Sequence, residues 1–209
     1  PLINNGTIGK IEFVKAEFGW DLRKWKSNLD RDYRKSYSAQ KGGGVLFDVG
    51  PHELRYLLDF LGTPSSVWCM SGPNTLDIVE EDHVDIILKF KDSIAIVRLD
   101  YLNPNYTRKC YFFGEKGILI WDYGNGKGAS VRLNTDSIPE WRIFRSPYDD
   151  SAMYLTELQY FLGCVEGKNK YDDDLNGVQM VRLLLACKRS LKQHRSEKFE
   201  ESNGSIGAF

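Results

Sequence analysis

Lys41–Gly62, KGGGVLFDVGPHELRYLLDFLG, decides how this chain is read. Gly42, Gly43 and Gly44 run together, Asp48 and His52 stand four residues apart, and Leu54, Leu57, Leu58 and Leu61 mark an apolar helix. Residues four apart share a helix face. Pro51 is tolerated only among the first helical positions, whose N–H groups have no intrahelical acceptor, so the helix is expected to begin close to Asp48. A carboxylate there is stabilised by the helix dipole and can hold a neighbouring imidazole in one tautomer while supporting its protonated form. Histidine passes protons near neutral pH. An isolated Asp-x-x-x-His pair is more often a helix cap beside an ordinary histidine. The glycine run shifts that balance, because it permits positive φ or a close backbone approach where a ligand or another domain comes near.

The stretch Gly42-Gly43-Gly44-Val45-Leu46-Phe47-Asp48-Val49-Gly50-Pro51-His52 resembles the G-G-G-x-L-x-D-x-G-x-H segment of the Gfo/Idh/MocA oxidoreductases. That resemblance implies an α+β fold, an open and mostly antiparallel sheet of about six strands with helices on one face, like the C-terminal domain of glyceraldehyde-3-phosphate dehydrogenase. It also implies a division of roles, with His52 exchanging the proton of a sugar hydroxyl and Asp48 assisting it. Family members carry an N-terminal Rossmann domain that binds the dinucleotide. No G-x-G-x-x-G unit occurs in this chain, so neither that half nor the lysine it contributes beside the histidine is expected here. NAD or NADP would belong to the full-length enzyme, with no cofactor-binding residues in this chain, and the chain alone is expected to be inactive.

Outside this stretch, composition excludes several classes. A chain of 209 residues, 42% hydrophobic and 27% charged, can bury one sizeable core. A formal net charge of -1 gives no reason to expect nucleic acid or an anionic membrane surface as partner. No apolar run has the length of a membrane span and no signal-peptide pattern opens the chain, which makes the cytoplasm the default location. The first residue is proline rather than methionine, which reads as an excised or processed N-terminus. Cys69, Cys110, Cys164 and Cys187 lack C-x-x-C pairing and fall in apolar patterns, as buried reduced thiols would; no metal site is expected.

Ile8 to Asp21 alternates as a first strand. Leu22 to Gln40 is polar, basic and aromatic without a sustained period, and so long a loop in a compact domain is uncommon and often functional. It holds Arg23, Trp25, Arg31, Tyr33, Arg34 and Tyr37, whose guanidinium groups and rings suit sugars, phosphates and carboxylates. Its residues alone are equally compatible with aromatics packing on the sheet. Asp32-Tyr33-Arg34-Lys35-Ser36-Tyr37-Ser38-Ala39 is similar to a D-Y-R-x-S-Y-S-A segment of the family's surface-polysaccharide branch, which makes Tyr33, Arg34 and Tyr37 substrate-pocket candidates, beside Arg23 and Trp25 of the same loop. One departure stands out: the branch commonly has an acid three residues after the histidine, and Arg55 is there instead.

Beyond Gly62 and Pro64, which end the helix, strands are expected at Ser66–Met70, His83–Lys89, Ile94–Tyr101, Lys109–Phe113 and Ile118–Trp121. Short turns between successive strands imply an antiparallel meander. Tyr101 and Arg108 are the candidates for reaching the pocket from strand ends. Glu80, Glu81, Asp82, His83 and Asp85 read as a solvated acidic turn rather than a metal site. Tyr123 to Tyr148 reads as an irregular loop with one strand near Ala129–Leu133. Two helices follow, the first with an apolar stripe of Met153, Leu155, Leu158, Phe161, Leu162 and Val165, the second from about Asn176 to Lys192; both stripes are expected in the core. The domain is taken as residues 1–195, with 196–209 as a flexible tail.

The implied function is the substrate and oligomerisation domain of an NAD(P)-dependent oxidoreductase acting on a sugar or nucleotide-sugar hydroxyl in bacterial surface-glycan metabolism. Its partners would be that substrate, the Rossmann domain and a second copy through the open sheet face. The alternative is a stand-alone sugar-binding or dimerisation module without catalysis.

Overall fold

The computed structural model describes residues 2–25, 31–123, 129–146, 150–169 and 175–199. Among these residues nine strands form one sheet: β1 (Ile11–Gly19), β2 (Ser66–Met70), β3 (His83–Lys89), β4 (Ile94–Asp100), β5 (Thr107–Gly114), β6 (Gly117–Asp122), β7 (Ala129–Thr135), β8 (Ile138–Ser146) and β9 (Glu197–Lys198). Their spatial order is β8-β7-β6-β5-β1-β4-β3-β2-β9. All pairings are antiparallel except β1 with β4, where Val14 faces Ala95 and Ala16 faces Val97. The expected meander is therefore two meanders, joined through the first strand.

The sheet is larger than the six strands expected. Ile138–Ser146, read within an irregular loop, is a full strand paired with β7, and its Trp141, Ile143 and Phe144 are well exposed. Burial on one face is what produces a clean alternation of apolar and polar residues, and this edge strand lacks it. Glu197–Lys198 adds the ninth strand by pairing with Ser66 and Val67, and the Phe199 N–H bonds to the Ser65 carbonyl at 2.9 Å, so the ordered domain extends past residue 195. Residues 200–209, the rest of the expected tail, lie outside the described residues.

Among the described residues four α-helices accompany the sheet: α1 (Gly44–Asp48), α2 (Gly50–Leu61), α3 (Asp150–Val165) and α4 (Leu175–Gln193). The sheet face carrying Val14, Ala16, Val84, Ile86, Val97 and Leu99 is buried, together with Leu54 and Leu57 of α2 and Leu183 and Cys187 of α4. Transferring that much apolar surface from water is the main driving force for the fold. The stripe of α3 is not in the core as expected: Leu155, Leu158, Phe161, Leu162 and Val165 are all about half exposed or more. An apolar period marks a face that avoids water but not what covers it. Cys69, Cys110 and Cys187 are buried, Cys164 on α3 is partly so, and all four thiols are free. Among the described residues no helix is long and apolar enough to cross a membrane.

Candidate active site

Pro51 shapes the centre of the site. It has no N–H to offer the carbonyl four residues back, and its ring crowds that carbonyl, so the helix is interrupted at Val49 and resumes as α2 with proline in its first turn. Asp48 closes α1 on one side of this break and His52 lies in the first turn of α2 on the other. The glycines set the approach. A Cβ on Gly43 would collide with the carbonyl oxygen of Tyr37 and lie 2.9 Å from that of Ser38, so only glycine lets the 37–39 turn pack against the start of α1. Gly44 has φ +80° and faces Glu80 at a distance that leaves no room for a side chain.

Asp48 is the focus of a hydroxyl cluster. Its Oδ2 accepts from Ser38 Oγ at 2.9 Å and from the Tyr101 hydroxyl at 2.6 Å, and its Oδ1 accepts from the Tyr37 hydroxyl. Charge-assisted bonds of this kind are stronger than neutral ones. Burial pushes the Tyr37 and Tyr101 hydroxyls above their ordinary pKa, and the adjacent carboxylate pushes in the same direction, so both remain protonated donors. His52 is exposed. Its side chain makes no hydrogen bond among the described residues, and Asp48 bonds to hydroxyls there rather than to the imidazole.

The remaining candidates divide. Trp25 joins the cluster: its ring meets Tyr101 edge-on at 5.5 Å and stacks on Trp20 at 5.5 Å. From Trp20 the rings continue through Tyr106 at 5.4 Å and Tyr123 at 6.0 Å to Trp121 at 5.8 Å. Arg108 lies at that far end, its guanidinium 5.5 Å from the Trp121 ring centre and 5.3 Å from that of Tyr123. Arg23, Tyr33 and Arg34 are not brought to Asp48. Arg23 is held by Asp21 through bonds of 2.8 and 2.9 Å, and the Asp21 carboxyl is held low by that guanidinium. Arg34 is paired in the same way with Asp32 and reaches Asp77 at 3.3 Å, while the Tyr33 hydroxyl accepts from the Asp77 N–H.

The acidic turn is not simply solvated. Asp82 is fully buried, accepting from the N–H groups of Thr75 and Leu76 and lying 2.7 Å from His83 Nδ1. Glu80 and Glu81 both bind Lys188 of α4, and Glu80 also accepts from Gly42 N–H, so this turn ties α4 to the glycine run. Among the described residues no group of three or more His, Cys, Asp or Glu is arranged to hold a metal ion.

Sequence reading passed over Ser38, Trp20, Glu53, Tyr56, Tyr106, Trp121 and Tyr123. Glu53 carried a usable signal: it lies four residues before Leu57, on the stripe that faces the sheet, where an acid needs a partner. For the aromatics there was none, since contacts between separate strands leave no local pattern.

Comparison with known proteins adds the following. A family model described as the GFO/IDH/MocA C-terminal domain matches residues 1–120. Among solved structures, levoglucosan dehydrogenase with NADH and L-sorbose is similar at TM-score 0.78 and 15% identity, over 96% of this chain and 61% of that one. An oxidoreductase from Agrobacterium radiobacter in complex with NAD+, L-tartaric acid and magnesium gives 0.74 at 16% identity, over 94% and 59%. The aldose-aldose oxidoreductase from Caulobacter crescentus complexed with glycerol gives 0.72 at 18%, over 95% and 58%. At these identities the likeness is one of fold, and the chain spans less than two thirds of each neighbour's length. No curated protein matches the sequence.

Proposed function

The chain belongs to the GFO/IDH/MocA C-terminal domain family, and from that premise we propose that it is the substrate domain of an NAD(P)-dependent oxidoreductase acting on a sugar or nucleotide-sugar hydroxyl. The observation that carries this reading is the Asp48 carboxylate, held by three hydroxyls one turn from an exposed histidine. A domain that only bound or dimerised would have no use for a fixed carboxylate beside a free proton carrier.

In this reading His52 takes the proton from the substrate hydroxyl, or returns it, at the mouth of a cleft closed by the dinucleotide domain. Asp48 supplies negative charge that favours the imidazolium as it forms, and Tyr37, Ser38 and Tyr101 keep that charge in place. The cofactor, when bound by the other domain, supplies the hydride acceptor or donor. This chain has no glycine-rich strand-turn-helix unit, so its own residues fit the substrate side of the cleft and not the dinucleotide. The ring series from Trp25 to Trp121 offers flat apolar faces of the kind sugar rings stack on. A role in surface-glycan metabolism and pairing with a second copy through the open sheet face belong to the same proposal. Supporting the pairing, that face presents Trp68 and Met70 on β2 and Ile94 and Ile96 on β4, all partly exposed, with β3 between the two strands.

The test is His52→Ala in the complete enzyme, dinucleotide domain included. Turnover is expected to fall about a hundredfold or more if His52 is the general acid or base. Near-normal turnover rejects the assignment.

A further inference from the structure

The two oxygens of Asp48 stand in different settings. Oδ2 accepts from Ser38 Oγ at 2.9 Å and from the Tyr101 hydroxyl at 2.6 Å, and both donors belong to buried residues. Oδ1 is held among the described residues by the Tyr37 hydroxyl alone, and Tyr37 is 69% exposed. One oxygen is fastened inside the fold and the other is held from the solvent side. Beneath Tyr37 the backbone is fixed, because the Ala39 carbonyl accepts from Val79 N–H at 3.1 Å and the Gln40 carbonyl accepts from Gly43 N–H at 2.9 Å. The tyrosine side chain can therefore turn away without moving the turn that carries it.

A second donor lies on the same side of the carboxylate. Val49 stays in the right-handed helical region at φ -99° and ψ -33°, and its carbonyl accepts from Glu53 N–H at 3.3 Å, so the turn from Asp48 to His52 is helical despite Pro51. Side chains four apart on such a turn are neighbours. His52 is exposed, and its imidazole has no partner among the described residues. The charged groups around the pair are engaged elsewhere. Arg55 on α2 bonds to Asp59 at 3.2 Å, Lys188 of α4 lies 5.6 Å from the Phe47 ring and is bound by Glu80 and Glu81, and Arg34 of the Tyr33–Lys35 turn is bound by Asp32 and Asp77. Tyr101 approaches from the end of β4 as a neutral donor.

The competing donors differ in when they are strong. Burial and the carboxylate itself keep the Tyr37 hydroxyl protonated, so it offers Asp48 a neutral O–H throughout. An imidazole offers a full ion pair once it has gained a proton, and a bond between two ions is the shorter and stronger one. We propose that Tyr37 is a positioning residue that exchanges with His52 on Asp48 Oδ1, holding that oxygen while the imidazole is neutral and yielding it to the imidazolium. This rests on the reading of His52 as the proton carrier and adds a moving part to it. In the oxidation the sugar O–H bond breaks and its proton passes to an imidazole nitrogen, while the hydride on the same carbon leaves for the oxidised nicotinamide. Asp48 stays ionised and Tyr37 keeps its own proton, so the exchange rearranges hydrogen bonds only.

The test is NMR of the 209-residue chain carrying 15N-histidine and 13C-tyrosine, with no ligand added. His52→Gln and Tyr37→Phe, both at exposed positions, identify the signals of the two rings. Between pH 8 and pH 5 the Tyr37 Cζ resonance is expected to move in step with the His52 ring nitrogens, and to stay constant in His52→Gln. At pH 8 the neutral His52 ring is expected to average its two tautomers in the unaltered chain. Tyr37→Phe vacates Oδ1, and the tautomer whose N–H reaches Asp48 is expected to gain at least about twofold, the scale of an exposed pair four apart on a helix. Tyr101→Phe, which acts on Oδ2, is expected to leave the tautomer ratio unchanged. A Tyr37 resonance that is flat over this range, or that moves equally in His52→Gln, overturns the exchange, and so does an unchanged tautomer ratio in Tyr37→Phe. An equal change in Tyr101→Phe overturns the separate roles of the two oxygens. The proton-carrier reading itself stands or falls on the turnover of His52→Ala, so the two failures are distinguishable.

Discussion

Tyr101, at the end of β4, donates its hydroxyl to Asp48 Oδ2 at 2.6 Å across 53 residues of sequence. Tyr101 is fully buried, its backbone N–H bonds to the Asp82 carbonyl at 2.8 Å and its carbonyl accepts from Leu22 N–H at 3.1 Å. The sheet thus reaches out to hold the carboxylate at the break between α1 and α2.

Removing that hydroxyl leaves one Asp48 oxygen short of a donor inside the fold. Tyr101→Phe is expected to lower unfolding free energy by about 1–3 kcal/mol, the range for breaking a partly buried bond to a charged group. Tyr37→Phe, at a residue 69% exposed, is expected to cost less than about 1 kcal/mol because water replaces the lost donor. Urea unfolding of the two variants checks the order, and equal losses would contradict it.

Within the glycine run, neighbouring positions are expected to respond differently to the same change. Gly42→Ala meets no atom within 4 Å and bears only the strain of φ +86°, about 1 kcal/mol. Gly43→Ala drives a methyl into the Tyr37 carbonyl, a backbone atom that cannot rotate away. Its melting temperature is expected to fall well below that of Gly42→Ala, with loss of the 37–39 packing that carries Tyr37 and Ser38.

Two acids, Glu80 and the buried Glu53, are expected to show opposite pH dependence. The Glu80 carboxyl is held below its ordinary value of 4.5 by the Lys188 ammonium and the Gly42 N–H. A depressed acid contributes stability above that value and loses it as pH falls through the folded pKa. Lys188→Met is therefore expected to cost about 1–3 kcal/mol at pH 7 and progressively less below pH 4.5. Glu53 is raised above 4.5, chiefly by burial, so its contribution is present below that value and is lost as pH rises through its folded pKa. The stability of Glu53→Gln relative to the unaltered chain is accordingly expected to improve as pH rises from about 4. Urea titrations at several pH values measure both slopes, and slopes of the same sign would refute the assignment.

On the open sheet face, Ile96 pairs with Ile87, which in turn faces Trp68. Ile96→Glu puts a charge in the centre of this apolar patch while leaving the helix-covered face untouched. If the face joins two copies, sedimentation is expected to show a dimer for the unaltered chain and at least about tenfold weaker association for the variant, the cost of desolvating an unpaired charge. A monomer at micromolar concentration in both cases removes the pairing proposal.

Local order sets what could be read from residues alone and what could not. Gly62 closing α2, Pro51 limiting its start, and the alternation in Val84–Leu88 and Ala95–Leu99 act over a few residues, where backbone sterics and burial on one face leave a periodic trace. The helix at His52 and most of the strands follow from those traces. Tertiary structure alone decided that β1 would enter between β4 and β5, that α3 would leave its apolar stripe uncovered, and that Glu53 would meet Arg108 beneath Trp121. Each of these is a contact between segments far apart in sequence, chosen by which surfaces exclude water from one another, and a one-dimensional pattern records that a face is apolar without recording its partner.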